Sequence, residues 1–358
     1  MRIIIMANNV QELGGAQRVV HVLAQGLGDR GHDVTIVGIT PHPAPYRYQA
    51  KPSYREVTLL DRPYPKPSVA RAHLESVATA RMQALLDEGP PGVVIAAQLW
   101  AMEHLERCSR DGWAVIGQYH SSYEAAAAGR DLARAKVVYR DVDAFALLCD
   151  DDAAAFRALG FWNTVTMPIP LAYWPDEASR SGEQSVTYLG RLSPEKGPRF
   201  LLEAWGLLAP AHPGWRLDMI GSGPLEEELR TGIGANLEAV TFHPATADPM
   251  QMLMNTAILA LPSLTEGFPL ALAEAMACGV ACVASDCSSG VLALVDDGRT
   301  GLIARRGDAA HLAEQLARLM ESADLRLRLG TAARQSVEGL QLPAVIDRWE
   351  VLFVDVLR

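Results

Sequence analysis

The chain is 358 residues long, 49% apolar and 21% charged, which is globular and too long for one ordinary core, so two domains are expected. A net charge of −10 and a pI near 5.4 exclude a nucleic-acid backbone as the main partner, because a phosphate tract requires a basic face. No apolar run reaches the roughly 18 residues of a membrane-spanning helix. Five cysteines without a CxxC pair or a disulfide-framework spacing suit a reducing cytoplasm. Peripheral contact with the inner face of a membrane stays open.

The opening MRIIIMANNV reads as a first core strand, Arg2–Met6, and not as a signal peptide. The loop NNVQELGGAQR follows, then a helical pattern over Val19–Leu27 closing at Gly28, and a second strand within DRGHDVTIVGIT. Strand, glycine-rich loop, helix and strand is the opening of a doubly wound α/β domain. Gly14 and Gly15 let a ligand approach the backbone, and Arg18 stands at the helix start, where it could meet an anion and is expected to contact the acceptor. The pattern is not GxGxxG, which argues against a dinucleotide site.

Tyr46–Arg71 is rich in proline and has no clear period. It carries Arg47, Lys51, Arg55, Arg62, Lys66 and Arg71 against Glu56 and Asp61, and reads as a solvated loop with an edge strand at Glu56–Leu60. The alternative is contact with an anionic acceptor or lipid headgroups. Ala70–Glu88 reads as a helix, and Gly92–Ala97 and Ala114–Tyr119 as strands. His120 directly follows the last of these, at the carboxyl-end position where open parallel sheets bind ligands. After a strand at Asp143–Cys149, Asp150–Asp152 contains a DxD, read as the acidic start of a helix over Ala153–Leu159 and not as a metal site. Trp162–Ser185 reads as an interdomain linker, giving domains at 1–168 and 169–343.

The second domain repeats the strand–helix alternation: strand Ser185–Gly190, helix Arg199–Leu208, strand Arg216–Ile220, helix Leu225–Arg230, and strands at Ala239–Phe242, Ala257–Leu261, Val280–Ala284 and Gly301–Ala304. Cys278, Cys282 and Cys287 fall at a helix end and in and after an apolar strand, which argues against a shared metal. Three strand-end loops carry the chemistry. GRLSPEKG begins at Gly190, and its Arg191 and Lys196 suit a diphosphate. GSGP holds Gly221 and Gly223 and leaves open backbone ahead of a helix. PSLTEGFPLALAEAMACG places Pro269 at a helix start and Gly279 just past its end. The amides of Gly267, Phe268, Pro269's neighbour Leu270 and the helix dipole form a ready phosphate site. Glu266 and Glu274, with seven residues between them, would take sugar or ribose hydroxyls.

GGAQR, His120, GRLSPEKG, GSGP, EGFPLALAEAMACG and GVACVASDCSSG resemble the family 4 retaining glycosyltransferases of the GT-B fold, along nearly the whole chain. The resemblance implies an α/β protein of two facing Rossmann-like doubly wound domains. It implies transfer of a hexose or N-acetylhexosamine from a nucleoside diphosphate sugar, UDP by frequency, to a hydroxyl acceptor, without a metal or other cofactor. By the same resemblance Arg191 and Lys196 neutralise the diphosphate, Glu266 sits at the sugar and pyrophosphate, and Glu274 holds the ribose. Gly14 and Gly15 close over the phosphates, His120 stands near the reacting sugar, and a last helix, 344–358, crosses back to the first domain. SDCSSG stands where the family more often has glycine-proline-glutamate. A non-catalytic sugar-nucleotide binder and an epimerase on the same fold are the alternatives.

Overall fold

A computed structural model describes residues 1–63, 69–179, 183–232, 239–246 and 248–358. Lys66, the side chain of Arg71, and positions 180–182 of the expected linker lie outside the described residues. The chain divides into two compact units, Met1–Ala172 with Leu340–Arg358, and Tyr173–Gly339.

The first unit contains β1 (Arg2–Ala7), α1 (Gly15–Asp29), β2 (Asp33–Gly38), β3 (Arg55–Thr58), α2 (Val69–Asp87), β4 (Val93–Ala96), α3 (Leu99–Leu105), β5 (Ala114–Gln118), α4 (Tyr123–Ala128), α5 (Asp131–Val138), β6 (Ala144–Leu147), α6 (Asp150–Ala158) and β7 (Thr164–Thr166). Its seven strands lie in the order β3-β2-β1-β4-β5-β6-β7, and all neighbours pair in parallel. β1 is apolar on both faces because both are covered. Ile4 and Met6 join Leu74, Met82 and Met102 of α2 and α3, while Ile3 and Ile5 join Val20, Leu23 and Leu27 of α1.

The second unit contains β8 (Ser185–Leu189), α7 (Pro198–Leu208), β9 (Arg216–Ile220), α8 (Glu226–Gly232), β10 (Val240–His243), α9 (Met250–Met254), β11 (Ile258–Leu261), α10 (Leu270–Ala277), β12 (Ala281–Ser285), α11 (Ser289–Leu294), β13 (Leu302–Ala304), α12 (Ala309–Glu321) and α13 (Ala323–Ser336). The parallel order is β10-β9-β8-β11-β12-β13. Val186 and Tyr188 of β8 pack with Leu201 and Trp205 of α7 and Leu316 of α12. In both sheets the chain reverses direction of winding at one place, between β1 and β4 and between β8 and β11. In open parallel sheets this is the place where ligands bind, beyond the carboxyl ends of the strands. Among the described residues no helix is long and apolar enough to cross a membrane.

The last helix, α14 (Leu342–Val356), belongs to the first unit. Val345, Ile346, Trp349 and Phe353 bury its apolar stripe against β1 and α1, as its helical spacing requires. Arg30, the C-cap of α1, meets Asp347 at 2.7 Å and Glu350 at 3.0 Å, exposed pairs that contribute little to stability.

Several boundaries differ from the sequence reading. The first helix begins at Gly15, not Val19, and runs through Gly28 to Asp29, with Gly31 (φ 85°) taking the left-handed turn beyond it. The acids 150–152 form the first turn of α6 behind Cys149 and do not precede the helix. The expected linker begins with a strand, β7, at the sheet edge. Helices α3, α4 and α5 are too short to show a clear period.

Trp349→Ala should lower stability by about 3–5 kcal/mol, as for other fully buried aromatics, whereas Val351→Ala on the exposed face should stay within about 0.5 kcal/mol. Urea titration of both variants checks this, and equal costs would contradict the assigned face.

Candidate functional site

The three chemistry-bearing loops of the second unit meet. Gly197 (φ 62°) ends a 3-10 turn over Pro194–Lys196, and a Cβ there would stand 2.1 Å from the Pro262 carbonyl. The loops after β8 and β11 therefore touch backbone to backbone, and the Leu264 N–H donates to the Glu195 carbonyl at 2.8 Å. The GSGP loop joins them through Leu192 N–H to Ser222 (3.1 Å) and Leu225 N–H to Leu192 (2.9 Å). Gly221 is required at this junction, because with φ 145° its Cβ would lie 1.9 Å from the Gly190 carbonyl.

At the centre Lys196 Nζ donates to both oxygens of Glu266, at 2.8 and 2.7 Å. The Ser263 hydroxyl donates to the same carboxylate at 2.7 Å. Glu266 is buried, at 7% exposure, so its charge is held by a lysine and a hydroxyl and not by water. Ser263 was not singled out from the sequence; its spacing of three from Glu266 carries no pattern of its own. Arg191 is exposed at the same loop and makes no side-chain hydrogen bond among the described residues. Tyr188, its hydroxyl donating to the Arg191 carbonyl at 2.6 Å, holds that backbone from below. Burial pushes this phenol well above its ordinary pKa.

Pro269 is the N-cap of α10 (φ −76°, ψ 98°), one position before the helix and not its first residue. As at every helix start, the first-turn amides have no intrahelical acceptor. Gly279 (φ 73°) ends the helix in the left-handed turn expected of it. Glu274 is fully buried inside α10, at 1% exposure, and adds to the burial that pushes the Cys278 thiol up to about 12. Gly290, within the SDCSSG run, is packed so that a Cβ would lie 1.8 Å from the Gly267 carbonyl. The start of α11 thus supports the Glu266–Phe268 turn.

In the first unit, Gly14 is the N-cap of α1 and Gly15 its first residue, which places Arg18 inside the first turn. Gln98 Oε1 accepts the Asn8 N–H at 2.8 Å, joining the loops after β1 and β4. His120 follows β5 and lines a small recess with Ala7, Asn9, Ala16, Gln17, Val20, Ala97 and Gln98. Burial against these walls pushes its pKa down to about 4, so the ring is neutral at pH 7. Asp152 does not face solvent: it is buried and accepts the Tyr123 N–H at 2.9 Å, tying down the segment after His120. Asp150 accepts the Thr166 hydroxyl at 2.5 Å. The basic stretch read as solvated is anchored too, because Tyr46, Tyr48 and Tyr54 gather at α1.

Two outcomes follow from this geometry. Lys196→Met, by stranding the Glu266 carboxylate, should cost about 1–3 kcal/mol, and adding Glu266→Gln should recover part of it; additive costs in a denaturation cycle would contradict the pair. His120 binds its proton more readily unfolded than folded, so its contribution to stability is full above pH 6.5 and is lost between 6.5 and about 4. The melting temperature of wild type should accordingly fall more steeply over that interval than that of His120→Asn, and parallel curves would contradict the desolvated neutral ring.

Two family models match the chain. "Glycosyltransferase Family 4" covers residues 13–170 and "Glycosyl transferases group 1" covers residues 174–336. An "Uncharacterized glycosyltransferase" of Haemophilus influenzae is 31% identical over 191 residues, 52% of this chain and 54% of that protein. The chain thus spans about half the length of that relative, and less of others it matches. Among solved structures, S. aureus TarM, in complex with Fondaparinux, alpha-GlcNAc-glycerol and UDP, superposes with a TM-score of 0.81 at 12% identity, over 98% of this chain and 99% of that one. Anabaena HepE, in complex with UDP and glucose, gives a TM-score of 0.78 at 18% identity, over 98% of each chain. At these identities the structures show the shared fold. With both family models spanning nearly all of its two parallel-sheet units, the chain belongs to the family 4 glycosyltransferases of the GT-B fold.

Proposed function

We propose that the chain transfers a hexosyl or N-acetylhexosaminyl group from a nucleoside diphosphate sugar, UDP in preference, to a hydroxyl acceptor, with retention at the anomeric carbon and without a metal. The observation that carries this reading is the Lys196–Glu266 pair at the β8/β11 edge, with the exposed Arg191 beside it. Lys196 neutralises the buried Glu266, and Arg191 stands exposed on the same loop, where Glu195 lies within electrostatic reach of both cations; an Arg and a Lys on one strand-end loop are the groups a diphosphate would draw on. The UDP complexes of TarM and HepE, proteins of the same fold, support the choice of nucleotide.

As the bond between sugar and phosphate breaks, negative charge grows on the diphosphate. Arg191, Lys196 and the α10 terminus stabilise it where it forms. The acceptor hydroxyl attacks the anomeric carbon from the face the phosphate leaves, and its proton passes to the departing phosphate oxygen. Glu266, already bonded to Lys196 and Ser263, holds the lysine in place and offers its remaining acceptor capacity to sugar hydroxyls. Glu274 is assigned to the ribose. In the first unit Gly14, Gly15 and the neutral His120 keep the donor-side roles that the family resemblance gives them, and Arg18, in the first turn of α1, is assigned to the acceptor.

Turnover of UDP-, GDP-, ADP- and dTDP-sugars by the purified chain tests the proposal. Hydrolysis of a UDP-sugar is expected, unaffected by excess EDTA, and at least ~100-fold slower in Arg191→Ala, whose melting temperature should not change. No turnover of any donor, or loss with EDTA restored by Mn²⁺, would overturn it.

A further inference from the structure

Tyr48 lies in the aperiodic, proline-rich stretch, yet it makes the most specific contacts of that stretch. Its hydroxyl accepts the Gly14 N–H at 2.8 Å and donates toward the Glu12 carbonyl at 2.7 Å, with the Gly14 carbonyl at 3.1 Å. Its ring lies flat on His21 of α1, the centroids 4.4 Å apart and the planes at 23°. His21 is itself immobilised, at 1% exposure, between the Val10 carbonyl (2.7 Å) and the Tyr54 hydroxyl (2.6 Å). The phenol is therefore fixed to α1 through its ring and to the glycine loop through its oxygen.

The near end of the loop is held separately, the Tyr46 N–H donating to the Gln11 carbonyl at 2.8 Å and the His42 N–H to Gln11 Oε1 at 3.1 Å. At its near end Asn9 Oδ1 accepts the N–H groups of Gln11 (2.7 Å) and Glu12 (2.9 Å). Beyond that point Glu12 is exposed and Leu13 is 42% exposed, so burial does not order them. Gly14 stands as N-cap of α1 in extended backbone (φ −167°, ψ 163°). Its orientation decides how the loop enters the helix and where the open amides of the first turn face. Glycine has no side chain with which to fix that orientation; the Tyr48 oxygen, bridging positions 12 and 14, does so from outside. Burial keeps the phenol pKa up at about 12, so the proton donated toward Glu12 is present throughout the physiological range.

We propose that Tyr48 is a positioning residue for the glycine loop, its hydroxyl setting Gly14 and the first turn of α1 in the geometry used for the donor phosphates. The inference rests on the proposed function for the phosphate contact, while the clasp itself is a property of the first unit.

Tyr48→Phe in the full chain keeps the stacked ring and removes the hydroxyl; Tyr46→Phe, whose ring only packs edge-on to Tyr48 at 4.8 Å, is the control. Hydrogen–deuterium exchange over Glu12–Gln17 should quicken by about fivefold or more in Tyr48→Phe, the scale of one net hydrogen bond. With UDP-glucose hydrolysis as the assay, KM should rise by about the same factor while kcat and the melting temperature stay near wild type; Tyr46→Phe should change none of these. Unchanged exchange in Tyr48→Phe would overturn the clasp, and faster exchange with an unchanged KM would overturn its bearing on the donor. If wild type turns over no donor, the proposed function fails, and exchange over Glu12–Gln17 still decides the clasp.

Discussion

The salt bridge between Lys196 and Glu266 is the contact on which the second unit's site depends. It joins the loop after β8 to the loop after β11, the two strands between which the sheet reverses its winding. A carboxylate at 7% exposure is tolerable only when its charge is met nearby, and here a lysine and the Ser263 hydroxyl meet it. The pair needs the two loops in van der Waals contact, which is why Gly197 faces the Pro262 carbonyl with no room for a side chain. Everything else at this edge is arranged around that requirement: Gly221 against Gly190, Gly290 against Gly267, and the α10 terminus beside them. The resulting electrostatics are uneven by design of the residues. Lys196 is held by Glu266, while Arg191 is exposed with Glu195 within its electrostatic reach on the same loop, and the helix dipole lies beyond them.

The first unit uses the same topological position with different chemistry. There the loops after β1 and β4 are joined by a neutral hydrogen bond, Asn8 to Gln98. The titratable group at the recess, His120, is kept uncharged by desolvation among Ala7, Ala16, Val20, Ala97 and the neutral amides Asn9, Gln17 and Gln98. A neutral imidazole offers one donor and one acceptor, suited to hydroxyls, whereas the second unit's edge is suited to phosphate. The glycine loop is ordered by Asn9 and Gln11 at its near end and by Tyr48 at Gly14.

Much of this was legible in the residues. The strands of both sheets stood out because parallel strands covered on both faces are continuous apolar runs between turn-formers. Arg191, Lys196 and Glu266 stood out because each lies in a loop that follows a strand end, where backbone direction limits what a side chain meets, and Glu274 because seven residues separate it from Glu266. That Lys196 takes Glu266 as its partner is not legible, since the sequence presents the two as separate contacts to a ligand. Asp152 shows the same limit: an acid in a first turn is explained by the dipole alone, and nothing local says that it also accepts the Tyr123 N–H. Tyr48 was missed for a different reason. Its contacts reach 34 positions back to Gly14, across an aperiodic stretch in which aromatic residues carry no period to read.

Calorimetric titration of UDP into the full chain tests the central claim most directly, that the edge built around Lys196 and Glu266 receives a nucleoside diphosphate. The account expects saturable one-site binding that weakens by at least about tenfold when the Arg191 charge is removed, the scale of one charge-assisted contact. Undetectable binding, or equal affinity of wild type and Arg191→Ala, would contradict it.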